Sequence, residues 1–170
     1  MDRQPTLAGA RVHLRPLRAD DYDALFAAAS DPLIWEQHPD ERWREDVFRG
    51  FFDGALASGG ALAAIDATYG RIVGTSRFEH YDPARREVEI GWTFLARSHW
   101  GGGFNGEMKR LMLQHAFQYV DRVVFVIYST NFRSRRAVEK IGGTLIEKRP
   151  DLARGGTSFV YAITANALQE

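Results

Sequence analysis

Apolar residues alternate with charged ones at Val12, Leu14 and Pro16, a period of two that predicts a short edge strand within residues 11–18. Asp20 or Asp21 stands where it can cap a helix running to about Ser30, and Asp31-Pro32 stops it. Residues 32–42, which hold two prolines, read as a loop, and a second helix is expected over 44–58, ended by Gly59-Gly60. Strand-like segments follow at 61–68 and 71–80, divided by Tyr69-Gly70, and at 86–96 after the Asp82-Pro83 turn, which together make an antiparallel meander. Phe104, Met108, Leu111, Met112, His115 and Phe117 then recur at near-helical spacing, predicting a helix over about 103–119 with that face inward. A strand over 122–128, a helix over 132–140 and strands over 144–148 and 157–164 complete the chain, the loop 150–156 joining the last two.

This order of elements implies an α+β fold: one mixed, mostly antiparallel sheet with helices on both faces and one parallel crossover through the 103–119 helix. No repeat, low-complexity tract or linker interrupts it, so residues 1–170 are expected to form a single domain. The 22 Lys and Arg balance the 22 Asp and Glu, with a pI near 7.0. That balance argues against a general nucleic-acid or acidic-membrane binder. The chain has no cysteine, which removes disulfides, thiolate metal sites and a cysteine-borne acyl-enzyme. His13, His38, His80, His99 and His115 show no i, i+4 pairing, so no metal is indicated. Met1-Asp2-Arg3-Gln4-Pro5 has no basic region leading into an apolar run, and no stretch reaches membrane-spanning length. The expectation is a cytoplasmic protein that does not engage a membrane.

Between the strand 86–96 and the next helix lie Trp100, Gly101, Gly102, Gly103, Phe104, Asn105 and Gly106. Adjacent glycines let backbone N–H groups converge without Cβ obstruction, and the first helical turn adds unpaired donors and the positive end of a dipole. A pyrophosphate would sit there. A P-loop is excluded, because no Lys-Ser or Lys-Thr follows the last glycine. Gly101, Gly103 and Gly106 match G-x-G-x-x-G, but a dinucleotide fold needs a ribose-binding acid about twenty residues on, and the strand 122–128 runs into Tyr128-Ser129-Thr130 with no carboxylate.

Further along, Asn131-Phe132-Arg133-Ser134-Arg135-Arg136 follows the Val123-Val124-Phe125-Val126-Ile127 strand. The two segments, in this order, resemble the acetyl-CoA-binding core of the GNAT N-acetyltransferases, in the branch of the ribosomal-protein-alanine acetyltransferases. Arg11 to Arg18 with Asp20-Asp21-Tyr22, and the closing Ser158-Phe159-Val160-Tyr161-Ala162-Ile163, resemble that branch's first strand and helix and its last strand. One departure is clear: with the glycines of the common phosphate signature placed on Gly101 and Gly103, Ser98 stands where Gln or Arg is usual, and Arg97 is one place early.

The resemblance implies acetyl transfer from acetyl-CoA to a primary amine, either a protein N-terminus or a small molecule, by direct attack in a ternary complex; it leaves room for a homodimer. It further implies that the strands ending near Ala96 and Tyr128 splay, with the pantetheine arm in the wedge against the backbone of Phe94 and Leu95. Asn131 would bond the pantetheine amides, although it is equally a plausible N-cap. Arg135 and Arg136 would meet CoA phosphates or, alternatively, belong to a solvated helix face. Ser134, with Tyr128 as the second candidate, would protonate the departing thiolate. Glu89 is the first candidate for the base, with Glu87 on the same face and Glu79 on the preceding strand as alternatives. Trp35, His38 and Trp43 border the acceptor side or merely close the core there, and Glu79 is grouped with the substrate contacts. His99 lies beside the phosphate loop, either touching phosphate or simply exposed. A non-catalytic acyl-CoA-binding module is the alternative function, kept open by Ser98.

Overall fold

The computed structural model describes residues 1–168. Its elements in chain order are β1 (Leu7–Ala8), β2 (Val12–Pro16), α1 (Tyr22–Ala29), α2 (Glu45–Ser58), β3 (Ala61–Asp66), β4 (Ile72–Asp82), β5 (Glu87–Leu95), α3 (Phe104–Ala116), β6 (Arg122–Tyr128), α4 (Phe132–Lys140), β7 (Thr144–Pro150) and β8 (Thr157–Thr164). The eight strands form one sheet in the order β1-β2-β3-β4-β5-β6-β8-β7, antiparallel throughout except at β5 and β6. The mixed sheet with a single parallel crossover through α3 is the one the pattern implies. β1 is an addition: two residues are too few to show any period.

The two larger of three apolar clusters cover the two faces of the sheet. Met108, Met112 and Leu113 of α3 and Val138 of α4 meet Leu14, Phe78, Ile90 and Phe125 on one face. Leu25 of α1 and Phe48 and Phe52 of α2 meet Ala61, Ala63 and Phe94 on the other.

The parallel ladder is short. β5 and β6 pair only at Glu87–Arg122, Val88–Val123 and Glu89–Val124, although β5 continues to Leu95 and β6 to Tyr128. The divergence begins next to a bulge on the other side of β5, where the register with β4 shifts between Thr75 and Arg77 and Trp92 adopts φ +51°. An extra residue in one strand bends it away from its neighbour. β6 keeps its full pairing with β8, so the two strands part as a wedge.

Three polar locks fix the elements around this wedge. Asp21 takes a two-pronged bond from Arg15, both contacts 2.8 Å, and accepts from the Arg18 N–H. It therefore ties β2 to the start of α1 and does not cap the helix with its side chain, as the sequence suggested. His99 is buried, with Nε2 2.8 Å from Asp66 Oδ2 and Nδ1 2.8 Å from Ser98 Oγ. The exposed phosphate-side histidine expected from the sequence is instead the anchor that holds the glycine loop to the end of β3. Glu107, in the first turn of α3, accepts from the backbone N–H groups of Ala10, Arg11 and Val12. Burial pushes this carboxyl up, but the N–H donors outweigh it and leave it below its ordinary value. Its contribution is thus present at neutral pH and lost as pH falls through that lowered value.

Glu107→Ala leaves these N–H groups without acceptors and should cost on the order of 3 kcal/mol of stability. Glu107→Gln keeps one acceptor oxygen and should cost less. Denaturant unfolding at pH 7 measures both, and an alanine variant as stable as the parent would show that the N–H groups find other partners.

Candidate active site

Where β5 and β6 part, a cleft of about 310 Å³ opens. Residues 90–95 of β5 form one wall and 125–128 of β6 the other, with Asn105 and Lys109 of α3 and Ser134, Ala137 and Val138 of α4 beneath. Past Glu89 the edge of β5 that faces β6 has no ladder partner, so its backbone groups are open to a ligand. Trp100 closes the far end by donating its Nε1–H to the Leu95 carbonyl at 2.9 Å.

The glycine loop runs between two residues that line the cleft, Trp100 and Asn105, while its glycines lie outside the lining. Gly101 and Gly103 have φ +73° and +82°, values that favour glycine, and both are exposed. Gly103 is the N-cap of α3, and the Glu107 N–H bonds back to its carbonyl. The N–H groups of Phe104, Asn105 and Gly106 precede that bond and are left over at the positive end of the helix. An anion is the natural partner for such a terminus.

Deeper in the cleft lies Glu89, 8% exposed. Its Oε2 is 2.6 Å from Nδ1 of His80, whose ring is largely exposed on the neighbouring strand. Burial raises the Glu89 pKa, and His80 is the main group opposing the rise. A carboxyl poised in this way can take a proton from a bound ammonium, and an exposed imidazole bonded to it offers that proton a path to water. The backbone here is strained on both strands: His80 has φ +50° and Trp92 φ +51°, and their rings lie 6.1 Å apart. Each such conformation costs about 1–3 kcal/mol in a non-glycine residue.

The opposite side of the mouth is built from the segment after α1 and from the β7–β8 loop. Arg154 bonds Asp40 through Nε at 2.9 Å and Nη2 at 2.7 Å, clasping the two together. Arg42, buried against the Phe51 ring at 4.5 Å, also bonds Asp40. Trp35 is buried and donates its indole N–H to the Ala29 carbonyl. His38 accepts the Asp40 N–H on Nδ1; burial and then the Arg42 cation hold its pKa well below the ordinary value, so it is neutral and carries its proton on Nε2.

A phosphate-type loop, an open strand edge and a buried carboxyl thus converge on one wedge, and a family model described as the acetyltransferase (GNAT) domain matches residues 11–144. The chain belongs to the GNAT acetyltransferase family. The uncharacterized N-acetyltransferase p20 of Bacillus licheniformis is 27% identical over 118 residues, 66% of this chain and 66% of that one. This chain therefore spans about two thirds of the length of that curated relative. A GCN5-related N-acetyltransferase from Brucella melitensis superposes with a TM-score of 0.86 at 22% identity, over 98% of this chain and 83% of that one. Mycobacterium smegmatis RimJ in complex with CoA-disulfide superposes with a TM-score of 0.76 at 22% identity, over 98% and 90%. Likeness at such identities is a likeness of fold.

Of the residues singled out in the sequence of this GNAT chain, Glu89, Tyr128, Asn131 and Ser134 line the cleft, as do Phe94, Leu95, Trp100, Asn105, Trp35 and His38. The structure places others elsewhere. Glu79 is bonded to Arg3 and Arg77, and Glu87 to Arg122, so these carboxylates are spoken for outside the cleft. Arg135 is turned inward, onto Tyr161 Oη at 3.1 Å and the Ser129 carbonyl at 2.9 Å, with its guanidinium 4.3 Å from the Phe159 ring centre. Arg136 is exposed. Asn131 does cap α4, accepting the Ser134 N–H. Trp43 packs against the α1–α2 cluster, and the Tyr128 hydroxyl donates to the Gly155 carbonyl.

His80, Arg154 and Lys109 escaped the sequence reading. His80 and Arg154 act through partners 9 and 114 residues away, which no local pattern reveals. Lys109 did leave a trace: it follows Met108 and precedes Met112 by three, within the arc that helical periodicity assigns to the core.

His80→Gly removes the imidazole and suits the left-handed backbone. Carboxyl NMR titration should then find the Glu89 pKa higher than in the parent, since burial would act unopposed. An unmoved titration would mean that the 2.6 Å contact carries no electrostatic weight.

Proposed function

We propose that this protein is an N-acyltransferase that moves an acetyl group from acetyl-CoA to a primary amine by direct attack in a ternary complex. The observation that carries this reading is the wedge itself, with an anion-binding helix start at one end and the buried Glu89 at the other. The residues suit acetyl-CoA. The exposed glycine loop and the free N–H groups of α3 match a pyrophosphate, and the unpaired edge of β5 near Phe94 and Leu95 matches pantetheine amides. Asn131 keeps its side-chain NH₂ free for the same arm, and of the paired arginines Arg136 is the one left to answer phosphate.

Acetyl-CoA supplies an acyl group already activated as a thioester. Glu89 takes the proton from the acceptor ammonium, because only the free amine has a lone pair for attack, and His80 carries that proton outward. N–H groups on the wedge edge of β5 stabilise the charge that develops on the carbonyl oxygen. Ser134 lines the cleft and donates a hydrogen bond to the sulfur, a task for which Tyr128 is less free. The Asp40–Arg154 clasp and the neutral His38 frame the acceptor entry, which suits a slender amine: a polypeptide terminus or a small molecule.

A screen of amine acceptors for release of free CoA tests the activity. Tight acetyl-CoA binding with no turnover on any acceptor would favour a binding module instead. Gly103→Val forces a branched side chain onto φ +82° and crowds the amides; it should weaken acetyl-CoA binding at least tenfold in calorimetry, and unchanged affinity in a folded variant would move the pyrophosphate elsewhere. Glu89→Gln should lower turnover near pH 7 by about 100-fold and recover part of it at higher pH, where free amine is abundant. A pH–rate profile that overlays the parent would remove Glu89 from the role of base.

A further inference from the structure

Lys109 lies on α3 one turn after Asn105, on the same helix face, and is 5% exposed. Its Nζ donates to Ser76 Oγ of β4 at 3.0 Å and to Thr93 Oγ1 of β5, and these two oxygens are themselves 2.8 Å apart. From β6 the Phe125 ring faces it, 5.7 Å from Nζ to the ring centre. An ammonium has three N–H bonds. Two end on the hydroxyls; the third has no acceptor among the described residues, and the cleft that Lys109 lines is the space left to it.

A lysine buried with no carboxylate partner among the described residues is a costly choice where a methionine would fill the same volume. The charged groups that line the same cleft are Glu89, Asp151, Arg42, Arg133 and Arg154, yet burial alone accounts for the state of this amine, pushing it down to about 7. At that value it can both give and regain a proton near neutrality. Ser134 lacks this property, since an aliphatic alcohol is a far weaker acid than a thiol and cannot deliver a net proton unaided.

We propose that Lys109 is a catalytic residue, the acid that protonates the CoA sulfur as it leaves. The assignment rests on the acyltransferase reading above. As the tetrahedral adduct collapses, the C–S bond breaks and its electron pair stays on sulfur; a proton passes from Lys109 Nζ to that sulfur, giving the thiol and a neutral amine. The acceptor nitrogen loses two protons on its way from ammonium to amide. One leaves through Glu89 and His80 to water, and the other balances the proton that Lys109 must regain.

Binding of free CoA, read by thiolate ultraviolet absorbance across a pH series, tests this without any acceptor. On the parent protein the bound thiol should ionise about two pH units or more below free CoA, down where Lys109 itself still holds its proton, because an ammonium beside it favours the anion. Lys109→Met should abolish that shift while still binding CoA, and Lys109→Arg should keep part of it. Turnover, once an acceptor is known, should fall on the order of 100-fold or more in both, since arginine keeps the charge but does not give up a proton. A thiol that titrates alike free and bound to the parent overturns the proposal even if the methionine variant does not fold. Equal shifts in parent and Lys109→Met overturn it too. An acetyl group found on Lys109 by mass spectrometry after incubation with acetyl-CoA would make it an acceptor and overturn its role as acid. Failure of the parent to bind CoA at all overturns the acyltransferase reading itself, and this assignment with it.

Discussion

The parallel ladder between β5 and β6 ends at Glu89 and Val124, while both strands run on. Backbone N–H and C=O groups beyond that point cannot be left buried without partners, so the strands must either stay paired, be covered by another strand or face a space that a ligand fills. The bulge at Trp92 bends β5 away and selects the last of these. The cleft is therefore a consequence of one local irregularity, the bulge in β5 at Trp92. The helix that crosses from β5 to β6 begins at the cleft mouth for the same topological reason, which brings its free N–H groups to the open strand edge.

Features that cost free energy gather around this wedge. His80 and Trp92 hold left-handed conformations, Glu89 is a buried carboxyl, and Lys109 is a buried amine with no counter-ion among the described residues. Such features persist where their surroundings over-determine them. The surroundings here are the bidentate Arg15–Asp21 pair, the buried His99–Asp66 contact and the Glu107 carboxylate that gathers backbone N–H groups before β2. The last two join segments distant in sequence, and all three fix the frame on which the wedge opens.

Period-two and helical patterns, with the glycine and proline turn signals between them, were enough to place β2 to β8 and α1 to α4 within a few residues. The glycine run was equally plain, since the left-handed backbone at Gly101 and Gly103 favours glycine. Residues whose meaning lies in a side-chain partner on another element were not legible. Asp21 reads as a helix cap until Arg15 is seen to claim it, His99 as a loop histidine until Asp66 is found beneath it, and Arg135 as a free cation until it is seen turned onto Tyr161. Glu89 could be picked by its strand, but not separated from Glu87 and Glu79 until their arginine partners were visible.

Amide hydrogen exchange with and without acetyl-CoA tests most directly the claim that the open edge of β5 and the start of α3 form one acyl-CoA site. The account expects slowed exchange at residues 91–95 and 101–106, with β1 to β3 unchanged. Protection confined to other elements, or binding that leaves the 91–95 amides exchanging as in the free protein, would contradict it.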